Sequence, residues 1–344
     1  MKYLITGATG YIGIQLAKRL VADGHKVHAL YRSEEKTTEL RKMEGVRLFK
    51  GDILYPESLK EAVWGCDGVF HVAAFAKPWD KDPQTFYRYN VLGAQNVFDA
   101  ARKAGAYRIV FTSTAGVISP SNGVASDENT PRSVDYFTDY ERSKAQAEEK
   151  AVDLSKAGME IVIVNPTRVY GPGLLSDSNG VTRMVKLFIE GKFRTLPGDG
   201  NSVGNYVFID DVVEGHVLAM ERGRAGERYI LGGDNVSFND FFDLLSDLTG
   251  KSTRLYKVPF PVMKIAAHLM ELRANLIGTP PLLTPPWVKK YLYNWELSIE
   301  KANKDLGYNP ISIELGLEKT VEWLLRNSGS SRKAGRRRKR SLQH

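Results

Sequence analysis

Two rhythms of hydrophobic and polar positions alternate through the first half of the chain. Short apolar runs read as strands: Tyr3 to Thr6, Lys26 to Tyr31, Val46 to Lys50, Gly68 to Val72, Arg108 to Ser113 and Glu160 to Val164. Segments of helical period start between them near Gly10, Glu34, Pro56, Pro83 and Thr138. Strands separated by helices imply βαβ units with right-handed crossovers, hence an α/β, doubly wound parallel sheet covered on both faces. This unit is expected over residues 1–172, with segments of about 203–235 returning to it. After Pro172 the rhythm becomes irregular. Helices are expected over Val181 to Glu190, Ile209 to Arg222, Phe238 to Thr249, Pro261 to Ile277, Ile299 to Asp305 and Ile313 to Arg326, joined by Pro/Gly-rich connections. Residues 173–327 therefore read as a smaller, mostly helical lobe. Asn327 to Ser331 reads as a polar linker, and residues 328–344 as a disordered basic tail.

Composition changes this picture little. A chain of 344 residues has room for about two packed units at ~150 residues each. The formal charge of +8 raises the question of a nucleic-acid partner, but seven Lys/Arg and no acid lie between Arg332 and Arg340. The body is close to neutral, and no nucleic acid is expected on it. The single cysteine, Cys66, excludes an internal disulfide and reads as buried rather than reactive. No window holds about 18 uninterrupted apolar residues, so no membrane span is expected. Met1-Lys2 runs directly into the first strand without a leader, which points to the cytosol. The histidines show no metal-ligand spacing, so no metal is expected; His71 and His216 read as structural.

Candidate chemistry begins where the first strand runs into Thr6-Gly7-Ala8-Thr9-Gly10-Tyr11-Ile12-Gly13 and an amphipathic helix. Glycines there allow a tight turn and let backbone approach a pyrophosphate, which then meets the free N–H groups and positive end of the helix. At the end of the second strand, where an acid would read a ribose, the chain has Tyr31-Arg32. Arg32 suits a 2′-phosphate, so NADP(H) is preferred, with NAD(H) the alternative through Glu34 or Glu35. Asp52-Ile53, just past the third strand, is placed to frame the adenine.

The second cluster is Tyr140-Glu141-Arg142-Ser143-Lys144 at the start of a helix. Tyrosine and lysine four residues apart share a helical face, and an ammonium beside a phenol should bring its pKa of ~10 down towards the working pH. That would make Tyr140 a general acid/base for alcohol–carbonyl chemistry. Phe111-Thr112-Ser113-Thr114-Ala115-Gly116, at the carboxyl end of the fifth strand, offers hydroxyls to polarise the substrate oxygen.

These stretches together resemble an extended short-chain dehydrogenase/reductase. His71-Val72-Ala73-Ala74, Asn165-Pro166-Thr167-Arg168-Val169-Tyr170-Gly171-Pro172-Gly173, Val207-Phe208-Ile209-Asp210-Asp211-Val212 and Leu306-Gly307-Tyr308-Asn309-Pro310 extend the resemblance over residues 2 to 327. Pro78-Trp79 and Glu141 to Lys144 are most similar to the dihydroflavonol 4-reductase and 3β-hydroxysteroid dehydrogenase branch, plant farnesol dehydrogenases included. The resemblance implies a Rossmann-type sheet with a helical C-terminal substrate lobe. It implies Tyr140 as acid/base, Lys144 as the residue that lowers its pKa and binds the nicotinamide ribose, and Thr114 as the catalytic hydroxyl. Asn90 takes a supporting role. Gly7, Thr9, Gly10, Tyr11, Ile12 and Gly13 carry the pyrophosphate loop; Arg32, Asp52, Ile53, Ala73, Thr112, Pro166 and Val169 complete the cofactor contacts. A homodimer through the fourth and fifth helices is also implied, as is NAD(H) use by the farnesol dehydrogenases.

Nucleotide-sugar epimerases and dehydratases share these motifs up to Lys144. Many of them carry Thr-Arg-Asp-Phe where this chain has Val203-Gly204-Asn205-Tyr206, so Gly204 stands where an arginine would grip a diphosphate. Its absence favours an apolar alcohol or carbonyl over a sugar nucleotide. A non-catalytic sensor or nucleic-acid binder is the reading from another class, and the intact Tyr140–Lys144 pair speaks against it. Val262, Ile265, Ala266, Leu269, Met270, Leu276, Ile277, Leu282, Leu283 and Trp287, with Phe75 and Trp79, would line an apolar substrate cleft or serve as core of the lobe.

Overall fold

A computed structural model describes residues 1–176, 179–251 and 253–340. The chain begins with β1 (Lys2–Thr6), α1 (Tyr11–Ala22), β2 (Lys26–Tyr31), β3 (Val46–Lys50), the short α2 (Lys60–Val63) and β4 (Gly68–His71). Then α3 (Gln84–Tyr87) continues through wider turns at Arg88–Leu92 into α4 (Gly93–Lys103), followed by β5 (Arg108–Thr112), α5 (Asp139–Lys156), β6 (Ile161–Pro166) and β7 (Arg168–Tyr170). The second half holds α6 (Gly180–Ile189), β8 (Thr195–Pro197), β9 (Val203–Phe208), α7 (Ile209–Arg222), β10 (Arg228–Leu231), β11 (Asp234–Ser237) and α8 (Phe238–Thr249). It ends with β12 (Tyr256–Val258), α9 (Phe260–Ile277), α10 (Pro285–Lys290), α11 (Glu300–Leu306) and α12 (Ile313–Arg340).

Seven strands form one parallel sheet in the order β10-β6-β5-β4-β1-β2-β3. The order reverses between β1 and β4, and an open α/β sheet carries its ligand crevice at that switch point. Every residue of β6 is buried, as a strand covered on both faces requires. On one face Leu16, Ala17 and Leu20 of α1 and Val213 and Val217 of α7 pack on Tyr3, Ile5 and Val110. On the other, Val97 and Phe98 of α4 and Ala147 and Ala151 of α5 pack on Leu4, Val69 and Ile161. Strand β10 adds to the edge of this sheet beside β6.

Several elements differ from the pattern. Glu34–Thr37, Leu40–Lys42 and Pro56–Leu59 are single 3₁₀ turns because those segments lack a sustained apolar stripe. A three-stranded sheet β11-β9-β7 and a pair β12-β8 stand outside the main sheet; strands of three to six residues are too short to show a period. The described backbone also stays helical from Asn327 to Arg340, where a linker and disorder were expected. Arg, Lys and Ala favour helix, and no proline interrupts them. The last four residues of the expected tail, 341–344, lie outside the described residues.

Candidate active site

The glycine turn lies at the switch point, and its shape is set by backbone crowding. Gly7 has φ of +72°, and a methyl group on it would come within 2.7 Å of Ala73 N, just past β4. A methyl group on Gly13 would stand 2.8 Å from Ala8 Cα and closer still to the Gly7 carbonyl. Helix α1 is thus seated on the turn with no room for a Cβ, leaving a backbone-lined cradle at its N-terminus. Gly10 N donates to Gly7 O at 2.9 Å, closing the turn. Thr9 and Ile12 are half-buried beside it. The Tyr11 side chain is turned inward, its hydroxyl donating to Gly171 O at 3.0 Å. What Tyr11 offers a phosphate is therefore its backbone. The residues present fit a dinucleotide pyrophosphate: the close packing of Gly7 and Gly13 seats α1 on the turn, so that the free N–H groups at its start can meet a phosphate.

At the far end of the crevice Arg32 reaches Asp52 Oδ2 at 3.3 Å and donates to Tyr89 Oη at 2.8 Å, lying over that ring. Ile53 is buried below it, against Gly93. Glu34 is paired with Arg41, and Glu35 accepts from Ser33 Oγ, so both acids already have partners.

Strand β5 and helix α5 bring the hydroxyl, phenol and ammonium together. Thr138 caps α5, its Oγ1 accepting from Glu141 N at 3.2 Å. This fixes the first turn, so Tyr140 faces Thr114 just past β5, where the threonine hydroxyl favours the phenolate. Thr114 Oγ1 also accepts from Gly116 N at 3.2 Å, and Asn165 Nδ2 holds the Thr114 carbonyl at 3.1 Å. One turn along α5, Lys144 is buried, donating to Thr112 O at 2.6 Å and lying 4.1 Å from the Phe111 ring centre. Pro166 ends β6 and Val169 lies in β7, on the same carboxyl edge. Asn90, in the wider turns before α4, accepts from Phe75 N at 2.7 Å and donates to Ser143 Oγ at 2.9 Å. It ties the loop after β4 to the residue before Lys144.

The expected lowering of the Tyr140 pKa is not what the geometry produces. Burial pushes the phenol up to about 12, against the pull of the Thr114 hydroxyl. The Lys144 ammonium is engaged by the Thr112 carbonyl instead, and burial brings it down to about 7, with Glu148 opposing. The Tyr140 phenol is thus a protonated donor near neutral pH. The Thr112 hydroxyl is also spoken for, 2.8 Å from His216 Nε2.

Three charged groups were missed. Buried Glu141, next to Tyr140, accepts from Phe137 N at 2.9 Å and pairs with Lys290 of α10 at 2.6 Å, anchoring α5 to the lobe. Its signal was the T-x-x-E spacing from Thr138; Lys290 had none. Buried Glu148 accepts from Asn165 Nδ2 at 2.7 Å and faces Arg228 at 3.5 Å. Arg168 of β7 is the third. Its guanidinium lies over the rings of Tyr206 and Phe238, donates to Tyr206 Oη at 2.9 Å, and occupies the room that a methyl group on Gly204 would need. No carboxylate pairs with it among the described residues. Gly204 therefore does not leave that place without positive charge, as the sequence suggested; a neighbouring strand supplies it.

The apolar run of α9 also departs from expectation. Val262, Ile265, Leu269, Met270, Leu276, Ile277 and Leu282 are exposed, neither core nor enclosed lining.

His71 and His216 are structural. His216 Nδ1 donates to Val212 O at 2.7 Å, so Nε2 accepts from Thr112; His71 Nδ1 lies 2.7 Å from Thr6 Oγ1. Burial pushes His71 down to about 3 and His216 to about 4. The unfolded chain then binds more protons, so stability is complete above about pH 6.5 and is lost as pH falls towards 4 and 3. Melting temperature is expected to fall from pH 7 to 4, with His216 alone costing about 3 kcal/mol once protonated. A flat profile in that range would overturn this account of both histidines.

The NAD dependent epimerase/dehydratase family model matches residues 3–232. The chain is 33% identical to cinnamoyl-CoA reductase 1 of Petunia hybrida, over 93% of this chain and 91% of that protein. It is 32% identical to the 2-alkyl-3-oxoalkanoate reductase of Stenotrophomonas maltophilia, over 93% and 98%. UDP-glucose 4-epimerase of Thermotoga maritima, solved with UDP-glucose, superposes with a TM-score of 0.78 at 24% identity, over 95% and 99% of the two chains. Among the described residues, no helix is long and apolar enough to cross a membrane, and no cluster of His, Cys, Asp and Glu could hold a metal ion.

Proposed function

The chain belongs to the NAD dependent epimerase/dehydratase family in its extended short-chain dehydrogenase/reductase form, and we propose that it reduces the carbonyl of a small, fairly apolar molecule to an alcohol. The observation that carries this reading is the meeting of Thr114, Tyr140 and Lys144 at the carboxyl edge of the sheet beside the glycine cradle. When bound, a nicotinamide cofactor supplies the hydride that the carbonyl carbon receives. Tyr140 donates its phenolic proton to the substrate oxygen, and Thr114 orients that oxygen with its hydroxyl. Tyr140, left as phenolate, takes its proton back from solvent, and Lys144 would hold the nicotinamide ribose. A phenol that is neutral at pH 7 suits reduction. The relatives named as reductases, at 32–33% identity, support this class over sugar chemistry.

In the same reading Gly7, Thr9, Gly10, Tyr11, Ile12 and Gly13 hold the pyrophosphate, Ala73, Pro166 and Val169 flank the nicotinamide, and Asp52 and Ile53 frame the adenine. Arg32 selects NADP(H), because Glu34 and Glu35 are engaged elsewhere. Kinetics with NADPH and NADH on a panel of aldehydes and ketones test both points. Arg32→Ala is expected to lower kcat/KM for NADPH about 10- to 100-fold while leaving NADH nearly unchanged. Equal losses with both cofactors would remove Arg32 from this role, and no turnover of any carbonyl would remove the reductase. A homodimer through α4 and α5, in the cytosol, belongs to the same reading; sedimentation equilibrium reads its mass directly.

Arg168 favours one second reading, a nucleotide-sugar epimerase or dehydratase, since a guanidinium above Gly204 with no carboxylate partner among the described residues is suited to a diphosphate. A rise in melting temperature of the cofactor-loaded protein with UDP- or GDP-sugars would favour it.

A further inference from the structure

Helix α9 carries its apolar residues on the wrong side for a globular lobe. Its buried residues are Ala267 and Ala274, seven apart on the inner face. Val262, Ile265, Leu269, Leu272 and Leu276 follow in steps of three and four along the opposite side. Ile265 is 64% exposed, Leu269 62% and Leu276 78%, and Leu282 just beyond the helix reaches 90%. Small methyl groups face the protein and large aliphatic groups face outward. A continuous stripe of this kind marks an interaction surface.

The charge around the stripe identifies the partner. Residues 251–290 carry seven Lys/Arg against one acid, Glu271, although the rest of the chain before Arg332 is not basic. Arg254, Lys257, Lys264, Arg273 and Lys289 are exposed, whereas Glu271 is half-buried. A second copy of this chain would set these cations against their own kind. An apolar stripe edged by cations matches a lipid surface with anionic headgroups, where the aliphatic groups enter the acyl boundary and the cations meet the phosphates. We propose that α9 docks the protein onto anionic membrane surfaces, lying in the interface plane without spanning it.

Co-sedimentation of the full-length chain with vesicles tests this. Phosphatidylcholine vesicles containing phosphatidylserine are expected to bind it at least tenfold more tightly than phosphatidylcholine alone, and rising salt should weaken the binding. The variant Leu269→Glu/Leu272→Glu/Leu276→Glu changes only exposed positions. It is expected to keep its melting temperature and lose the vesicle binding. Wild-type protein that ignores serine-containing vesicles overturns the proposal. So does retained binding by the variant, which would assign it to the basic segment from Arg332 to Arg340. Self-association abolished by the same substitutions would make the stripe a contact between copies and overturn it equally.

Discussion

Tyr140→Phe is expected to lower turnover by about 10³-fold or more, within the range for loss of a positioned general acid, and to leave cofactor affinity nearly unchanged. Phenylalanine keeps the ring in place and removes only the hydroxyl, the group beside Thr114 to which the proposal gives the proton transfer. Thr114 retains its bond from Gly116 N, so stability should change by about 1 kcal/mol at most. Fluorescence titration with NADPH and single-turnover kinetics separate the two effects. Turnover within tenfold of wild type would remove Tyr140 from the proposed chemistry. Loss of cofactor binding in parallel would make it a structural residue of the crevice instead.

Gly13→Ala is the second large effect. Its methyl group would enter the backbone of Ala8 and Gly7, and Gly7 has little room to retreat, because even a methyl group on it would collide with the backbone of Ala73 just past β4. Overpacking a rigid backbone site costs about 1–3 kcal/mol. A shift of about 1 Å in α1 relative to the turn would also lower turnover by roughly 10²-fold by displacing bound cofactor. Gly10→Ala is the control: its added Cβ meets only the Gly7 carbonyl, at 3.1 Å. Melting temperature and NADPH affinity should therefore rank wild type, Gly10→Ala, Gly13→Ala. Equal behaviour of the two variants would show that the close seat of α1 has no bearing on the cradle.

The glycine turn and the Tyr140–Lys144 pair were legible as patterns because each is local, with spacings of three or four residues on one turn or one helical face, whereas Thr114 was singled out only by the family resemblance. The strands of the main sheet were legible for a related reason: fully buried parallel strands must be apolar throughout, as β6 is. The Tyr140 pKa was not legible, since its direction depends on burial by the rest of the fold, while Thr112 O and the Phe111 ring engage the Lys144 ammonium. Arg168 was hidden for another reason. Strand pairing places its residue opposite Tyr206, with Gly204 diagonal to it, so one strand's missing side chain is filled from the next.

By itself, then, the chain's pattern determined a doubly wound sheet, a glycine-rich turn into the first helix and a tyrosine–lysine pair on one helical face, because periodicity and short spacings are properties of one segment at a time. Only the tertiary structure decided how the phenol titrates, which cation stands above Gly204, and that the apolar stripe of α9 faces outward. Burial, pairing and exposure are relations between segments far apart in the chain. The same leucines read as core, cleft or docking surface until their neighbours are known.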